Sequence, residues 1–286
     1  MSALVGRARS ADGVSALNEQ ALLRLQDPDG RVRHVLGYDD GQLVAYAHLD
    51  QSRPGADVAA ECVVDPDHRR AGWASVVVSR ALAEAAGAPM LLWSHGDHQG
   101  AARLAERLGF RRVRDLWRLQ RELGDAAGLP AVRLPAGVTV RGFEPGKDDE
   151  AWLALNARAF ADHPEQGAMD AGDLAARVES DWFDAAGFFL AERSGQDGAR
   201  LVGFHWTKVD RDDVGEVYVV GVDPDEQGSG LGTALTLVGL HHLAERGMGS
   251  VHLYVEADNA PAVRVYERLG FAHVGTDTQY RHPGSR

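Results

Sequence analysis

The last third of the chain switches between two hydrophobic periods. Residues 214–223 are rich in valine and end before a proline, which predicts a strand. Residues 230–246 carry leucine and valine at helical spacing and stop before Gly247, which predicts a helix. Residues 251–256 again have the pattern of a strand. The order strand, glycine-rich loop, helix, strand is typical of mixed α/β folds.

A second helix is predicted directly afterwards, within residues 259–269. Its apolar side chains recur at i, i+3, i+4 and i+7, so they share one face. These side chains are Ala262, Val265, Tyr266 and Leu269. Gly270 is placed to end the helix in the left-handed conformation, with Phe271 making the apolar contact that often accompanies such an end.

The same patterns occur earlier in the chain, in the same order and at nearly the same separation. Residues 97–110 (DHQGAARLAERLGF) match residues 258–271 (DNAPAVRVYERLGF). Residues 63–74 (VVDPDHRRAGWA) match residues 221–232 (GVDPDEQGSGLG). The repeat is much longer than one supersecondary unit, so it indicates duplicated domains and not a solenoid.

Residues 122–137 lack either period and contain Pro130 and Pro135, which predicts a linker. A chain of 286 residues is also longer than one small core usually spans. We therefore predict an N-terminal domain over residues 1–121 and a C-terminal domain over residues 138–286.

Composition narrows the range of functions. The net charge is −12 without any run of basic residues, which argues against a nucleic-acid partner. Cys62 is the one cysteine, so neither an intrachain disulfide nor a thiolate cluster is possible, and no other metal-ligand spacing occurs. The sequence has no signal peptide and no apolar run long enough to span a bilayer, which predicts a cytoplasmic protein without membrane contact. Because the two copies can pair within one chain, we expect a monomer.

The loop at residues 227–232 (QGSGLG) is the first candidate for a ligand site. Glycines allow successive backbone N–H groups to converge on an anion, and the following helix adds its unpaired N-terminal donors. A pyrophosphate suits such a loop. A plain tight turn explains the loop alone equally well, and its spacing is neither that of a Walker loop nor that of a dinucleotide fingerprint.

Together with its flanks, the loop resembles the GCN5-related N-acetyltransferase (GNAT) superfamily. The resemblance lies in Gln-x-x-Gly-x-Gly after a valine-rich strand and in Asn-x-x-Ala-x-x-x-Tyr-x-x-x-Gly-Phe at residues 259–271. It implies an α/β fold of two tandem GNAT domains, each a mixed, largely antiparallel sheet flanked by helices. It also implies acetyl-CoA as cosubstrate. In the first copy, Arg69-x-x-Gly72-x-Ala74 is a variant of the loop.

Acyl transfer from a thioester to an amine needs an unprotonated amine, support for the oxyanion and a proton for the departing thiolate. Glu216 is the candidate base; strand alternation predicts that it shares a face with Tyr218 and Val220. Tyr266 is the candidate acid. The alternatives are a salt-bridged glutamate on an edge strand and a core aromatic residue on an amphipathic helix.

The repeat separates the two copies chemically. In the first copy, the positions of Glu216, Asn259 and Tyr266 are occupied by Val58, His98 and Ala105. This copy therefore lacks both proton-handling groups. We expect it to bind coenzyme at most and to catalyse nothing.

Further stretches resemble the mycothiol synthase family: HPEQG at 163–167, GFHWTKV at 203–209, GEVYVVGVDP at 215–224 and DTxY at 277–280. That family acetylates the cysteinyl amine of a cysteine–glucosamine–inositol pseudodisaccharide, the last step of mycothiol biosynthesis. Two other functions stay open: acetylation of another primary amine, such as a protein N-terminus or an aminoglycoside, and a silent acyl-CoA-binding regulator.

The resemblance implies three sets of ligand contacts. The acceptor would contact Glu19, Glu165, Lys208, Glu216 and Tyr254. Acetyl-CoA in the second copy would contact Val220, Gly221, Val222, Gln227, Gly228, Ser229, Gly230, Leu231, Gly232, Thr233, Asn259, Ala260, Pro261, Ala262, Val263 and Arg264. A second coenzyme molecule in the first copy would contact Cys62, Val63, Val64, Arg69, Arg70, Ala71, Gly72, Trp73 and Ala74.

Several of these residues have a second interpretation. Glu19 can be a helix-surface charge, Glu165 a loop carboxylate and Lys208 a solvated lysine at a strand end. Trp73 stands where the family has a smaller residue, and a bulky indole beside the loop argues against coenzyme binding there. His252 is interpreted as a structural or exposed residue.

Overall fold

The structure, a computed structural model, describes residues 1–286 except 27–29, 54, 97, 125–127, 162, 164–165, 196–197, 212 and 285–286. The chain forms two compact units. The first comprises residues 1–117, 256–259 and 275–286, and the second comprises residues 118–255 and 260–274. In the described part of the chain, no helix is both long and apolar enough to cross a bilayer.

The elements are given in chain order. The helices are α1 (Ser2–Asp12), α2 (Glu19–Leu23), α3 (Trp73–Glu84), α4 (Gln99–Arg107), α5 (Asp149–Ala159), α6 (Ala171–Val178), α7 (Leu231–Glu245) and α8 (Ala260–Arg268). The strands are β1 (Val32–Asp39), β2 (Gln42–Asp50), β3 (Val58–Val64), β4 (Met90–Ser94), β5 (Arg111–Glu122), β6 (Val138–Gly142), β7 (Phe188–Gly195), β8 (Gly198–Arg211), β9 (Val214–Val222), β10 (Ser250–Glu256) and β11 (Ala272–His282). The two strands and two helices predicted at the C-terminal end are confirmed as β9, α7, β10 and α8.

In the first unit, the strand order is β1-β2-β3-β4-β11. Only β3 and β4 are parallel, because the crossover helix α3 connects them. The other pairs are antiparallel. One face of this sheet packs against α3 around Val77, Val78 and Ala81, and the other packs against α1 and α2 around Tyr46 and Val63. The apolar core therefore lies on both faces of the sheet.

The second unit repeats this plan. Strands β6 to β9 form an antiparallel meander, and β9 pairs in parallel with β10 across the crossover helix α7. One face is an aromatic cluster in which Phe188 stacks on Trp206 at 4.4 Å and Trp152 packs edge-on. The other face packs against Leu231 and Leu235 of α7. The glycine loop thus lies directly between a central strand and the helix that covers it.

Strand β9 has a bulge at Tyr218. Its neighbours Val219 and Val217 pair with consecutive residues of β8, Trp206 and Thr207, so Tyr218 is the extra residue. The bulge reverses the alternation of side chains along the strand. Tyr218 packs in the aromatic cluster, whereas Val220 packs in the α7 cluster. The prediction that Val220 shares a face with Tyr218 was therefore wrong, because simple alternation does not allow for an inserted residue.

Candidate active site

The glycine loop takes the backbone conformation that anion binding requires. Gly228 and Gly230 have φ values of 79° and 86°, in the left-handed region that favours glycine. Gly230 is the N-cap of α7 and provides no side-chain cap, so the first turn keeps N–H donors for a ligand. The Ser229 hydroxyl donates to the Glu226 carbonyl at 2.6 Å and accepts from the Leu231 N–H at 3.3 Å. These bonds hold the loop without using its glycines.

Arginines fix the turn before the loop. Glu226 is buried, and Arg193 donates to both of its carboxylate oxygens, at 2.6 and 2.5 Å. Arg193 lowers the pKa of Glu226, so the carboxylate stays charged. The buried Asp223 accepts from Arg158 at 2.9 Å and from Arg200 at 3.1 Å. The loop is thereby anchored to the sheet by paired charges.

The other residues predicted to hold coenzyme in this copy lie at the end of β9, in the first turn of α7 and at the start of α8. Val220 and Val222 end β9 beside the α7 cluster, and Thr233 lies in the first turns of α7. Helix α8 begins at Ala260, and the backbone N–H of Asn259 donates to the Glu256 carbonyl at 3.0 Å.

Helix α8 ends as the sequence predicts. Gly270 has φ 85°, and the Phe271 N–H donates to the Tyr266 carbonyl at 3.0 Å. The Phe271 ring packs edge-on against the Tyr266 ring, with centroids 5.7 Å apart. Burial raises the pKa of Tyr266 to about 12, so its hydroxyl stays protonated at neutral pH.

The first copy has the same loop conformation. Arg70 and Gly72 have φ values of 63° and 92°, at the positions that match Gly228 and Gly230. Gly72 is the uncapped N-cap of α3, as Gly230 is of α7. A left-handed arginine costs about 1–2 kcal/mol, which the surrounding structure must offset. The repeat is therefore preserved in backbone geometry as well as in sequence.

This loop borders a cavity of about 670 Å³ that lies wholly within the first unit. The residues predicted to hold coenzyme there line it, except Ala71. Trp73, the first residue of α3, lines the cavity and also packs against the core, where a Cβ on Gly37 would meet its indole at 3.2 Å. Arg103 and Arg107 of α4 also line the cavity and supply positive charge. The cavity has the size of an ordinary small-molecule site.

A histidine whose side chain is 12% exposed lies at the side of this cavity, with two carboxylate partners. The ring nitrogens of His95 lie 2.8 Å from Asp277 and 3.3 Å from Glu61. Burial opposes the charge, but the hydrogen bonds to these carboxylates outweigh it and raise the pKa of His95 to about 10. Asp277 also accepts from the Gly96 N–H, and Glu61 from the Asn18 N–H. The DTxY stretch thus has a structural role in the first unit.

The candidate acceptor residues of the second copy form a row across three strands. Lys208 on β8 and His252 on β10 are both register partners of Glu216 on β9. The nearest nitrogen of His252, Nε2, lies 3.8 Å from Glu216 Oε2. Tyr254 is exposed and packs edge-on against His252, with ring centroids 5.7 Å apart. The structure therefore brings together Lys208, Glu216 and Tyr254, and it adds His252.

Aromatic rings hold the lysine of this row. The Lys208 ammonium lies 4.5 Å from the ring centroid of Trp182 and 5.5 Å from that of Tyr218. The Tyr218 hydroxyl accepts from the buried Arg177 Nε at 2.7 Å. Sequence reasoning did not find Trp182, Arg177 or His252 as site residues. Trp182 and Arg177 lie far from any motif, and no spacing in the sequence marks them.

Glu19 and Glu165 are the remaining predicted acceptor contacts. Glu19 is the first residue of α2 in the first unit and follows the N-cap residue Asn18. The Asn18 side chain accepts a hydrogen bond from the Ala21 N–H at 2.8 Å. Glu165 lies outside the described residues.

Two of the residues that follow His163 have packing roles. The Gln166 side chain and carbonyl bind the buried Asn156 amide at 3.0 and 2.7 Å. A Cβ at Gly167 would collide with the Phe160 carbonyl oxygen. Part of the HPEQG stretch therefore fixes the end of this loop against α5.

Comparison with known proteins identifies the family. Residues 7–110 and 152–271 each match the model of the acetyltransferase (GNAT) family. The chain belongs to the GNAT acetyltransferases. It is an acyltransferase, and the predicted tandem GNAT fold is confirmed: the two matched stretches correspond to the two copies of the repeat.

Relatives place this GNAT protein more narrowly. It is 53% identical to the mycothiol acetyltransferase of Thermomonospora curvata, with 98% of this chain and 92% of the relative aligned. It is also 53% identical to the mycothiol acetyltransferase of Actinosynnema mirum, with 97% and 93% aligned. The chain therefore belongs to the mycothiol acetyltransferase family within the GNAT proteins.

Solved structures support the fold. A GCN5-related N-acetyltransferase from Sphaerobacter thermophilus superposes with a TM-score of 0.71 at 25% identity, covering 98% of this chain and 90% of that one. A tandem GNAT protein from the clavulanic acid biosynthesis pathway gives a TM-score of 0.73 at 18% identity, covering 98% and 95%. The tandem arrangement of GNAT copies thus recurs in a chain of quite different sequence.

Proposed function

We propose that this chain transfers the acetyl group of acetyl-CoA to the cysteinyl amine of a cysteine–glucosamine–inositol pseudodisaccharide, and that the second copy performs the reaction. The observation that carries the proposal is the register pair of Lys208 on β8 and Glu216 on β9, the strand that leads into the glycine loop. An acceptor with an ammonium group and many hydroxyls needs a carboxylate and a cationic donor. The full-length similarity to mycothiol acetyltransferases supports this acceptor.

The proposed reaction uses two side chains to move protons. An α-amino group has a pKa of roughly 7.7–8.0, so Glu216 can take its proton directly or through a water molecule. The free amine then attacks the thioester carbonyl carbon, and the C–S bond breaks. The departing thiolate takes a proton from Tyr266, and the nitrogen loses its second proton to solvent as the amide forms. The raised pKa of Tyr266 keeps that proton in place until the thiolate forms.

Binding roles follow the same proposal. Lys208, Glu216 and Tyr254 would contact the acceptor, together with Glu19 and Glu165. The residues of the glycine loop and of the first turn of α8 would hold the coenzyme through backbone N–H groups and Arg264.

We propose that the first copy binds acetyl-CoA without catalysis. Its cavity and left-handed loop suit a coenzyme, and Arg103 and Arg107 suit its phosphates. Ala105, which aligns with Tyr266, and Val58, which the sequence repeat aligns with Glu216, are buried apolar side chains that cannot exchange protons. Because β9 has the bulge at Tyr218, the residue of β3 in the register position of Glu216 is Ala59, which has no ionisable group either.

A panel of amines tests the acceptor. Acetyl-CoA is supplied with the cysteinyl pseudodisaccharide, with the same compound lacking its cysteinyl group, with an aminoglycoside and with a peptide bearing a free N-terminus. Because the first acceptor carries its own thiol, the acetylated product is measured by chromatography and mass spectrometry. We expect turnover of the cysteinyl compound alone. Equal turnover of another amine would overturn the assignment, and acetyl-CoA binding without any turnover would indicate a silent regulator.

A further inference from the structure

His252 stands beside the proposed base and has no part in the mechanism so far. It is the register partner of Glu216 in the parallel pair β9–β10, and register partners on adjacent strands project from the same face. Its Nε2 atom lies 3.8 Å from Glu216 Oε2. The two side chains are 19% and 15% exposed, so bulk water reaches this carboxylate only in part.

The chemistry leaves a proton to be accounted for. An amine with a pKa near 8 arrives mostly protonated at pH 7, so one proton must leave the site before each attack on the thioester. An ordinary carboxylate, with a pKa of about 4.3, holds such a proton only briefly. Imidazole, with a pKa of about 6.5, is the side chain whose ordinary pKa lies between those of the carboxylate and the amine.

We propose that His252 is the positioning residue that takes the proton on from Glu216. This inference rests on the proposed function, because it needs Glu216 as the base. The ammonium proton passes to the Glu216 carboxylate and then to His252 Nε2, which restores the carboxylate and leaves an imidazolium. The imidazolium then loses a proton to water. The proton that Tyr266 gives to the thiolate is separate, and solvent replaces it.

The present separation is compatible with this path. A hydrogen bond needs about 2.6–3.2 Å between heavy atoms, and catalytic contacts often tighten only when substrate is bound. A movement of less than about 1 Å would make the contact, and one rotation of either side chain supplies that.

The groups around His252 set the direction of transfer. Glu216 favours the imidazolium, while Lys208, the next residue of the row, opposes a second positive charge. Tyr254 is its neighbour on the same strand. On the other side of β10 lies β5, whose charged residues in the second unit are Arg118, Arg121 and Glu122; Arg121 binds the Leu269 carbonyl. A site containing cations returns the imidazole to its neutral form after each turnover.

The test compares the pH dependence of kcat for the full-length protein and its His252→Gln and His252→Asn variants, with the cysteinyl acceptor. We expect kcat at pH 7 to fall by about tenfold. The apparent pKa of the acidic limb should move down by about one unit or more, towards that of a carboxylate. Free imidazole should restore part of the activity of a His252→Ala variant, which no purely structural role predicts. The control is His273→Gln, an exposed histidine on β11.

The outcomes separate the two proposals. If the unaltered protein does not acetylate the cysteinyl acceptor, the proposed function fails and this inference fails with it. If it does, but the acidic limb is the same in all proteins and imidazole restores nothing, the relay is wrong and the function stands. A fall in kcat with an unchanged limb also overturns the relay, because it reports packing alone.

Discussion

The Lys208 ammonium lies 4.5 Å above the centre of the Trp182 ring. A lysine on a flexible four-carbon chain would otherwise sample many positions, so the aromatic face limits where its charge can be. Since Lys208 is also the register partner of Glu216, Trp182 positions a cation beside the proposed base.

Removal of that ring should weaken acceptor binding and spare the chemical step. A cation–π contact contributes about 0.5–2 kcal/mol, so Trp182→Leu should raise KM for the acceptor by about 2- to 30-fold. Trp182→Phe keeps an aromatic face, so its KM for the acceptor should lie between those of the unaltered protein and the leucine variant. Steady-state kinetics with saturating acetyl-CoA measures this. An unchanged KM in the leucine variant would show that Lys208 needs no aromatic support.

Glu216→Gln removes the base and keeps the shape of the side chain. We expect kcat to fall by about 10²-fold or more, the usual scale for acid–base catalysis, with little change in the affinity for acetyl-CoA. Glu192→Gln, a change to a β7 carboxylate that binds Arg141, is the matched control. Turnover of the Glu216→Gln protein at the native rate would assign the base to another group.

Tyr266→Phe should also lower kcat by about 10²-fold. An acid works only while protonated, and burial raises the pKa of Tyr266 to about 12. Its proton is therefore lost only as the pH rises towards that value. The unaltered protein should show no fall in kcat from this group below about pH 10. A pH profile of kcat checks this; an alkaline limb near pH 8 that disappears in Tyr266→Phe would contradict it.

Gly230→Ala and Gly72→Ala form a matched pair of backbone changes. Both glycines cap a helix at positive φ, and a Cβ at either would meet nothing within 4 Å. Strain of about 1–2 kcal/mol is therefore the main effect in each loop. We expect Gly230→Ala to raise KM for acetyl-CoA by about 5- to 30-fold, and Gly72→Ala to change turnover by less than about twofold. Equal losses would show that the first copy is required for catalysis.

His95 gives the first unit a pH-dependent stability. Its folded pKa, about 10, lies above the ordinary value of 6.5, so its contribution is complete below pH 6.5 and is lost as the pH rises through about 10. The difference in Tm between the unaltered protein and His95→Gln should therefore be large at pH 6.5 and small above pH 10. Thermal unfolding at several pH values measures it. A difference that grows with pH would mean that His95 is neutral in the folded state.

Sequence patterns were sufficient for the local features of both copies. The glycine loop, α7 and α8 depend on neighbours within one or two turns, and their predicted bounds agree with the structure to within one or two residues. Strand pairing was not predictable in the same way. Residues 278–282 of β11 pair with β4, about 190 positions earlier in the chain, and no local period encodes such a partner.

The residues around the candidate acceptor site were also only partly predictable from the sequence. The motifs pointed to Lys208 and Glu216, but the contacts of Trp182 and His252 arise only when distant segments fold together. The bulge at Tyr218 was equally unpredictable. It is visible only in the pairing with β8, and the β9 sequence does not mark which residue is left unpaired.

That bulge shifts the alternation of side chains between the two faces of β9 by one residue. The half leading to the glycine loop presents one set of side chains to α7, and the half before the bulge presents the opposite set. If Tyr218 paired with Thr207 in regular register, Val217 would take the position opposite Lys208 and Glu216 would turn to the helix side. One inserted residue in the middle of the strand thus determines which face of the sheet carries the Glu216 carboxylate.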